Sequence, residues 1–334
     1  MRTLKIVVFL ILLLPQISIF AEDIYVVTVA QDGSGDYTTI QEAVNSIRDY
    51  GFERGYVYIK NGVYKEKVVV PTWKTRVSLV GESVDSTIIT WDDYSGKMVN
   101  GIKLSTFTSY TVLVMGDGFH AENITFKNTA GNVGQAVALH VEGDRCVFRN
   151  CKFLGNQDTM FAAGEGSRQY FKDCYIEGTT DFIFGAATAL FENCTIFCKR
   201  ESYITAASTP EYAKFGYVFM DCNIISDSTV NKVYLGRPWR PYAKTVFINC
   251  ELDEAIRPEG WHNWRSPERE KSSFYAEYRN TGQGADITGR VPWSHQLTDA
   301  EAKEYTIENI FSGKIVETEE LKVWYNRDLE YKMK

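Results

Sequence analysis

Two aspartates carry the most suggestive chemistry in the chain. Asp181 sits in "GTTDFIFG", beside Phe182, Ile183 and Phe184. Burying an unpaired carboxylate is costly, so an acid in such company has a partner or a task. Asp158 lies in "GNQDTMF". Each aspartate falls seven residues after a cysteine, Asp158 after Cys151 and Asp181 after Cys174. If those cysteines mark equivalent points of a repeat, the two acids occupy the same phase of adjacent units. Two carboxylates so placed split their titrations. One stays protonated as an acid while the other stays charged as a base or nucleophile.

Other polar residues fall into the same scheme. Phe126 to Phe148 and Gln135 to Gln157 are both separated by 22 residues, a spacing that stacks the two glutamines on neighbouring units. Glutamine amides donate hydrogen bonds without charge, which suits an oxyanion formed during acyl transfer. Arg237, in "LGRPWRPY", is placed to reach the same face, pair with Asp181 and keep it ionised. Trp239 follows two residues later and could stack on a sugar ring. The bland alternatives stand beside these readings. An Asp at a turn often only bonds to backbone. Phe184 alternates with Phe182 as core or surface packing, and Gly185 answers a backbone need.

The elements that would position these residues come from an internal repeat. Five fragments align, "FRNCKF", "FKDCYI", "FENCTI", "FMDCNI" and "FINCEL", with cysteines at 151, 174, 194, 222 and 250 and gaps of 23, 20, 28 and 28 residues. "AENITFKN" has the same pattern with Ile124 at the cysteine position. Strand-like alternation bounded by Asn, Asp and Gly at this period marks a solenoid. Helical and leucine-rich repeats fit poorly because no helix pattern lies between the fragments. The prediction is an all-β parallel β-helix of short strands, one per coil, stacked about 4.8 Å apart with apolar and cysteine ladders inside. On this reading the ladder cysteines are buried free thiols. The competing reading is a disulfide-stapled export domain, and the repeat constrains Cys146 and Cys198 less. "YTTIQEAVNSI" predicts a helix capped near Thr39, with Ile40, Ala43, Val44 and Ile47 covering the open N-terminal end. Strands are expected in "GYVYIKNGVYKEKVVV", "VSLVGE" and "STIIT", long loops from Trp261 to Ala285, and a last helix from "EAKEYTIENIFSG".

Composition narrows the function. The net charge of −7 and the lack of an Arg-rich stripe disfavour nucleic acid as a partner. "MRTLK", the apolar run after it and Ala21 match a secretory signal peptide over residues 1–21, ahead of a single catalytic domain over 22–334. A retained membrane anchor is disfavoured by the run's shortness and by Pro15 and Gln16. The mature chain is expected to be an exported monomer without stable membrane insertion, in the periplasm, at the cell surface or in the medium. The seven cysteines and four histidines show no zinc spacing. There is no G-x-S-x-G elbow, H-E-x-x-H or phosphate-binding loop.

At these residues the sequence resembles the pectin methylesterases, carbohydrate esterases that demethylate pectin. The likeness runs from about Val27 to Gly313 through "VAQDGSGDYTTIQEAV", "GVYKEKV", "GDGFHAENITFKNTAG", "QAVAL", "GNQDTMF", "GTTDFIFG", "YLGRPWRPYAKTVF" and "FYAEYRNTGQGA", in the family's order. The resemblance implies a right-handed parallel β-helix with a shallow cleft on one side, and roles within it. Asp181 would be the nucleophile on the C6 carbonyl of a methylated galacturonate. Asp158 would protonate departing methanol and then activate water. Gln157, helped by Gln135, would bind the oxyanion, and Arg237 would hold Asp181 and the substrate's carboxylate region. Trp239 and Trp264 would contact sugar, with Phe161 and Phe184 in the substrate-binding set. Pectin is the implied partner, with no cofactor or metal.

The sequence also departs from the family. Met160 and Phe161 stand where Leu and Tyr are frequent, and His140 where arginine is, which bears on subsite preference and pH optimum. Asn-x-Thr sequons at Asn123 and Asn193 lie in repeat fragments and read as structural. The rivals are an esterase of this type acting on another ester, a polygalacturonase, a calcium-dependent pectate lyase, and a non-enzymatic β-helix. The last would keep the ladders without the polar cluster.

Overall fold

The computed structural model describes residues 25–312 and 324–326, so the signal-peptide reading lies outside the described residues. The chain winds into a right-handed parallel β-helix with three sheets of 11, 8 and 7 strands. A complete coil contributes three strands, one to each sheet, rather than the one per coil predicted from the repeat, while the terminal coils contribute fewer. The coil holding Asp158 shows the pattern: Cys146–Arg149, Lys152–Leu154 and Met160–Ala162. The next coil repeats it with Arg168–Lys172, Tyr175–Gly178 and Ile183–Gly185. The fragment periodicity captured one complete circuit, but strands such as Lys152–Leu154 and Met160–Ala162 are too short to announce themselves by alternation.

Inside, like side chains stack on like. Phe148, Phe171, Phe191, Phe219 and Phe247, the leading residue of each fragment, form one column with successive centroids 4.8, 4.9, 4.5 and 4.4 Å apart and nearly parallel rings. Such contacts add about 0.5–1.5 kcal/mol per pair beyond area burial. All seven cysteines are free and buried. The ladder thiols donate to carbonyls of the preceding coil, as Cys174 Sγ does to Phe148 O at 3.5 Å. The stapled alternative is therefore overturned: parallel stacking sets the cysteines in a column where each meets backbone, and burial drives Cys146 and Cys198 thiols up.

The ladder is punctuated by a turn between the first and second strands of each coil. Asn123, Asn150, Asp173, Asn193, Asp221 and Asn249 all take positive φ there, between 46° and 58°. Asn and Asp visit this left-handed region more readily than other non-glycine residues, which explains the recurring Asn-Cys and Asp-Cys pairs. Both sequon asparagines occupy this position.

The N-terminal end is covered by a helix. Thr39 caps the helix Ile40–Ser46, accepting from Glu42 N, and Ile40, Ala43 and Val44 are buried in the main core. The C-terminal region departs from expectation twice. Residues 261–285 are not merely loops: they include the helix Pro267–Ser272 and the strand Phe274–Tyr278, which pairs with Lys244–Ile248. The single last helix is instead two short ones, Asp299–Ala302 and Ile307–Ile310. With Phe311, Trp324 and Tyr325, Ile310 lies over the outer face of the first sheet, where Val147, Tyr170 and Leu190 form a second apolar cluster.

Candidate active site

The site is built at the turn leading into the third sheet. Met160 pairs with Ile183 and Phe161 with Phe184. Two residues earlier, in the same register, are Asp158 and Asp181. Both take left-handed backbone, with φ of 62° and 48°. Their N–H groups continue the ladder, Asp158 N donating to Thr180 O at 3.1 Å and Asp181 N to Tyr203 O at 2.8 Å. The in-phase placement read from the cysteines is thus observed.

Gln135 and Gln157 also face each other across one bridge, but the spacing that suggested it was misphased. Phe126 pairs with Phe153, and Phe148 with Ala121. The coil carrying Gln135 instead has a longer connection before its third strand. Asn128 pins that connection, its Nδ2 donating to Asp93 O, Ser109 O and Val137 O at 2.9, 3.2 and 3.1 Å. Ala136 N then donates to Gln157 O at 3.1 Å. Two coils after Asp181, the strand Tyr234–Gly236 delivers Arg237, whose Nε and Nη2 donate to the two carboxylate oxygens of Asp181 at 2.9 and 2.6 Å. A planar fork on a planar carboxylate fixes orientation as well as charge.

Asp158 and Asp181 are 8% and 6% exposed, so their surroundings govern their titration. Burial, then the neighbouring charge of Asp181, pushes Asp158 well above the ordinary carboxylate range, against opposing contributions from Arg237 and a Gln157 hydrogen bond. Burial also raises Asp181, but its two hydrogen bonds from Arg237 and the guanidinium charge oppose the rise. Asp158 is the acid that keeps its proton longer, and Asp181, also raised, is held nearer the ordinary carboxylate range by Arg237.

The third sheet supplies the aromatic wall. Its inward residues Met160, Ala162 and Ile183 join the core, so the alternate residues Phe161 and Phe184 must face out. Their rings stack at 4.4 Å, and Trp239 meets Phe184 edge-on at 5.9 Å. Gly185 takes a φ of 126°, and a Cβ there would lie 2.1 Å from Ala162 O, so the glycine is a backbone requirement. His140 packs on Phe161 at 4.5 Å, and burial pushes its imidazole down to about 4.

Gln135, Gln157, Asp158, Asp181, Phe184, Arg237, Trp239 and Trp264 together line a cleft of about 310 Å³. Phe161 lies beneath this surface, 8% exposed and between Phe184, His140 and Phe107. Trp264 reaches the cleft but turns a ring face onto Arg237 at 3.8 Å. Thr106 and Phe107 also line it and were not found from sequence; they belong to a short 3-10 turn outside the repeat. Among the described residues no group of three His, Cys, Asp or Glu side chains is gathered as metal ligands, and no helix is long and apolar enough to cross a membrane. A buried carboxylate oriented by arginine, a second acid with a raised titration point and two amides on one face can carry out nucleophilic acyl transfer.

A family-wide pectinesterase profile matches residues 26–314. Pectinesterase 31 of Arabidopsis thaliana is 41% identical over 286 residues, covering 84% of this chain and 90% of that protein. Pectin methylesterase from carrot superposes with a TM-score of 0.80 at 37% identity, covering 85% of this chain and 92% of that one. A pectin methylesterase in complex with a hexasaccharide gives 0.73 at 29% identity, covering 86% and 96%.

Proposed function

The chain belongs to the pectinesterase family of carboxylic ester hydrolases, and from that premise we propose that it removes the C6 methyl esters of pectin through Asp181 and Asp158. A carboxylate oxygen of Asp181 attacks the ester carbonyl carbon. The developing oxyanion is met by the side-chain amides of Gln157 and Gln135. Collapse breaks the bond to the methoxy oxygen, which takes the proton of Asp158 and leaves as methanol. The acyl-enzyme is an anhydride between the C6 carbon and Asp181. Asp158, now ionised, removes a proton from water as the water attacks the C6 carbon, restoring both aspartates and releasing the sugar carboxylic acid, which loses its proton to solvent.

The observation that carries this reading is the asymmetry of the two acids within one cleft. Arg237 grips Asp181 at 2.9 and 2.6 Å, while Asp158 faces the charge of Asp181 and is raised well above the ordinary range. Reaction needs one anion and one acid at the same pH, and this arrangement favours that split. The hexasaccharide complex of a related enzyme supports an extended polysaccharide in the cleft, with Trp239, Trp264 and Phe184 contacting sugar rings and Phe161 backing Phe184. Action on cell-wall pectin goes with export, directed by residues 1–21 as a signal peptide, and with a monomeric mature chain.

Methanol release from highly methylated pectin, measured with and without a chelator, tests the reading. Equal release in both arms is expected. Absence of methanol, or unsaturated products that vanish with chelator, would replace it with the lyase reading; release only from another ester would redirect it to that substrate.

A further inference from the structure

Arg237 is held by more than Asp181. Its guanidinium lies 3.8 Å from the ring centroid of Tyr203 and 3.8 Å from that of Trp264. Aromatic rings therefore cover the cation and leave its edge for the carboxylate. Tyr203 is itself fixed. It pairs with Tyr234 across adjacent strands, and the two rings stack at 5.2 Å with an interplanar angle of 12°. His262 packs against both rings, at 5.3 and 5.4 Å. The same histidine accepts the N–H of Trp264 at its Nδ1, 3.0 Å away, where Trp264 takes a positive φ of 57°. Tyr203 has a second link to the pair, because its carbonyl oxygen accepts the N–H of Asp181 at 2.8 Å.

We infer that Tyr203 is a positioning residue for the reaction: its ring sets the plane of Arg237 while its backbone sets the height of Asp181, and His262 locks the opposing Trp264 face in place. This rests on the proposed roles of Asp181 and Arg237 and goes beyond them. A guanidinium can rotate about its side-chain torsions and meet a carboxylate end-on, side-on or through one nitrogen. Stacked between rings, it keeps the two-nitrogen geometry. A cation against an aromatic face gains most when desolvated, as it is beside a buried carboxylate. The ring does the work, so the phenol hydroxyl of Tyr203 is dispensable. Trp264 then serves Arg237 with the face that the sequence reading gave to sugar.

The charged surroundings matter for the test. Asp158 faces Asp181 across the cleft. Arg265 and Arg257 act on His262, which burial and the charge of Arg237 keep below its ordinary titration range. Arg269 stands 5.8 Å from the Trp264 ring, and the buried Tyr275 hydroxyl senses Asp181. Replacing Tyr203 removes none of these charges. Losing its ring weakens the hold of Arg237, so Asp181 binds its proton more tightly, and the acid limb of the rate profile moves to higher pH.

The experiment compares Tyr203→Phe, Tyr203→Leu and Tyr203→Ala, Leu keeping bulk without a π face should the Ala variant fold poorly. Methanol release gives kcat, KM and the pH profile. Carboxyl carbon NMR gives the titration of Asp181 directly. For Leu and Ala we expect kcat about tenfold lower, the acid limb and the Asp181 titration both moved up by up to roughly one pH unit, and KM within about twofold. Phe should match the wild type. An unmoved Asp181 titration in the Leu variant would overturn the inference. So would a rise in KM with kcat and pH profile unchanged, which would make Tyr203 a substrate contact. The NMR readout needs no turnover, so a wild-type protein that released no methanol would defeat the functional reading without deciding this one.

Discussion

Two families of turn run along the same solenoid and use the same residue chemistry in the same backbone conformation. One joins the first and second strands of each coil and carries Asn150, Asp173, Asn193, Asp221 and Asn249. The other leads into the third strand and carries Asp158 and Asp181. All have positive φ. In the first family these residues are exposed and their side chains bond along the turn column, as Asn193 Nδ2 does to Asp173 Oδ1 at 2.5 Å. In the second they are buried beside Phe184, Trp239 and Arg237. Neither the aspartate nor its backbone makes a catalytic group. Exclusion of water does, because it separates the titrations of two acids and makes one guanidinium decisive. The first family shows what the fold needs of Asp and Asn; the second carries what the proposed chemistry adds.

Identical substitutions in the two families give the largest contrast. Asp181→Asn keeps shape and left-handed tolerance but removes the anion, and should lower kcat for methanol release by at least about a thousandfold. Asp173→Asn should stay within about twofold of wild type. Equal losses at the two positions would erase the distinction.

Stability draws the contrast in the opposite sense. The folded-state titration of Asp158 is raised above its unfolded value. Its contribution to stability is therefore complete below the unfolded value near 4 and is lost as pH rises through the folded one. Asp158→Asn does not titrate. At pH 8 it should melt above the wild type, by roughly 1–2 °C for each kcal/mol released in a chain of this size, with the gap closing below about pH 4. A gap independent of pH would mean that Asp158 is not the raised group. Activity lost with stability gained is the expected mark of a site under functional strain.

The smallest effect belongs to the exposed turns. Asn193→Ala places a Cβ-bearing residue without a local hydrogen bond in the left-handed region, at a cost of roughly 1 kcal/mol. Asn193→Gly should recover part of it. Urea midpoints measure both, with kcat per folded molecule unchanged. Loss of activity in either variant would show that the two turn families are coupled.

The sequence by itself determined the ladder. Phe and Cys recur once per circuit because a parallel coil offers the same small interior site at each turn, and that period alone put Asp158 and Asp181 in register. The N-terminal helix was legible for a similar reason, since Thr39 and the apolar face of Ile40, Ala43 and Val44 are local signals. Tertiary structure decided what local patterns do not encode. Strands of three residues carry too little alternation to be counted, so the number of sheets was not visible. The long connection before Gln135 defeats fixed spacing, and its placement depends on Asn128 reaching three separate carbonyls. Free cysteines were settled by packing, since sequence order does not say whether a thiol meets another thiol or a backbone oxygen. Arg237 lies 56 residues from Asp181, and Tyr203 and Trp264 come from different coils. Only winding the chain brings a guanidinium between two rings and against one carboxylate, because those contacts depend on distances across coils that no periodicity measures.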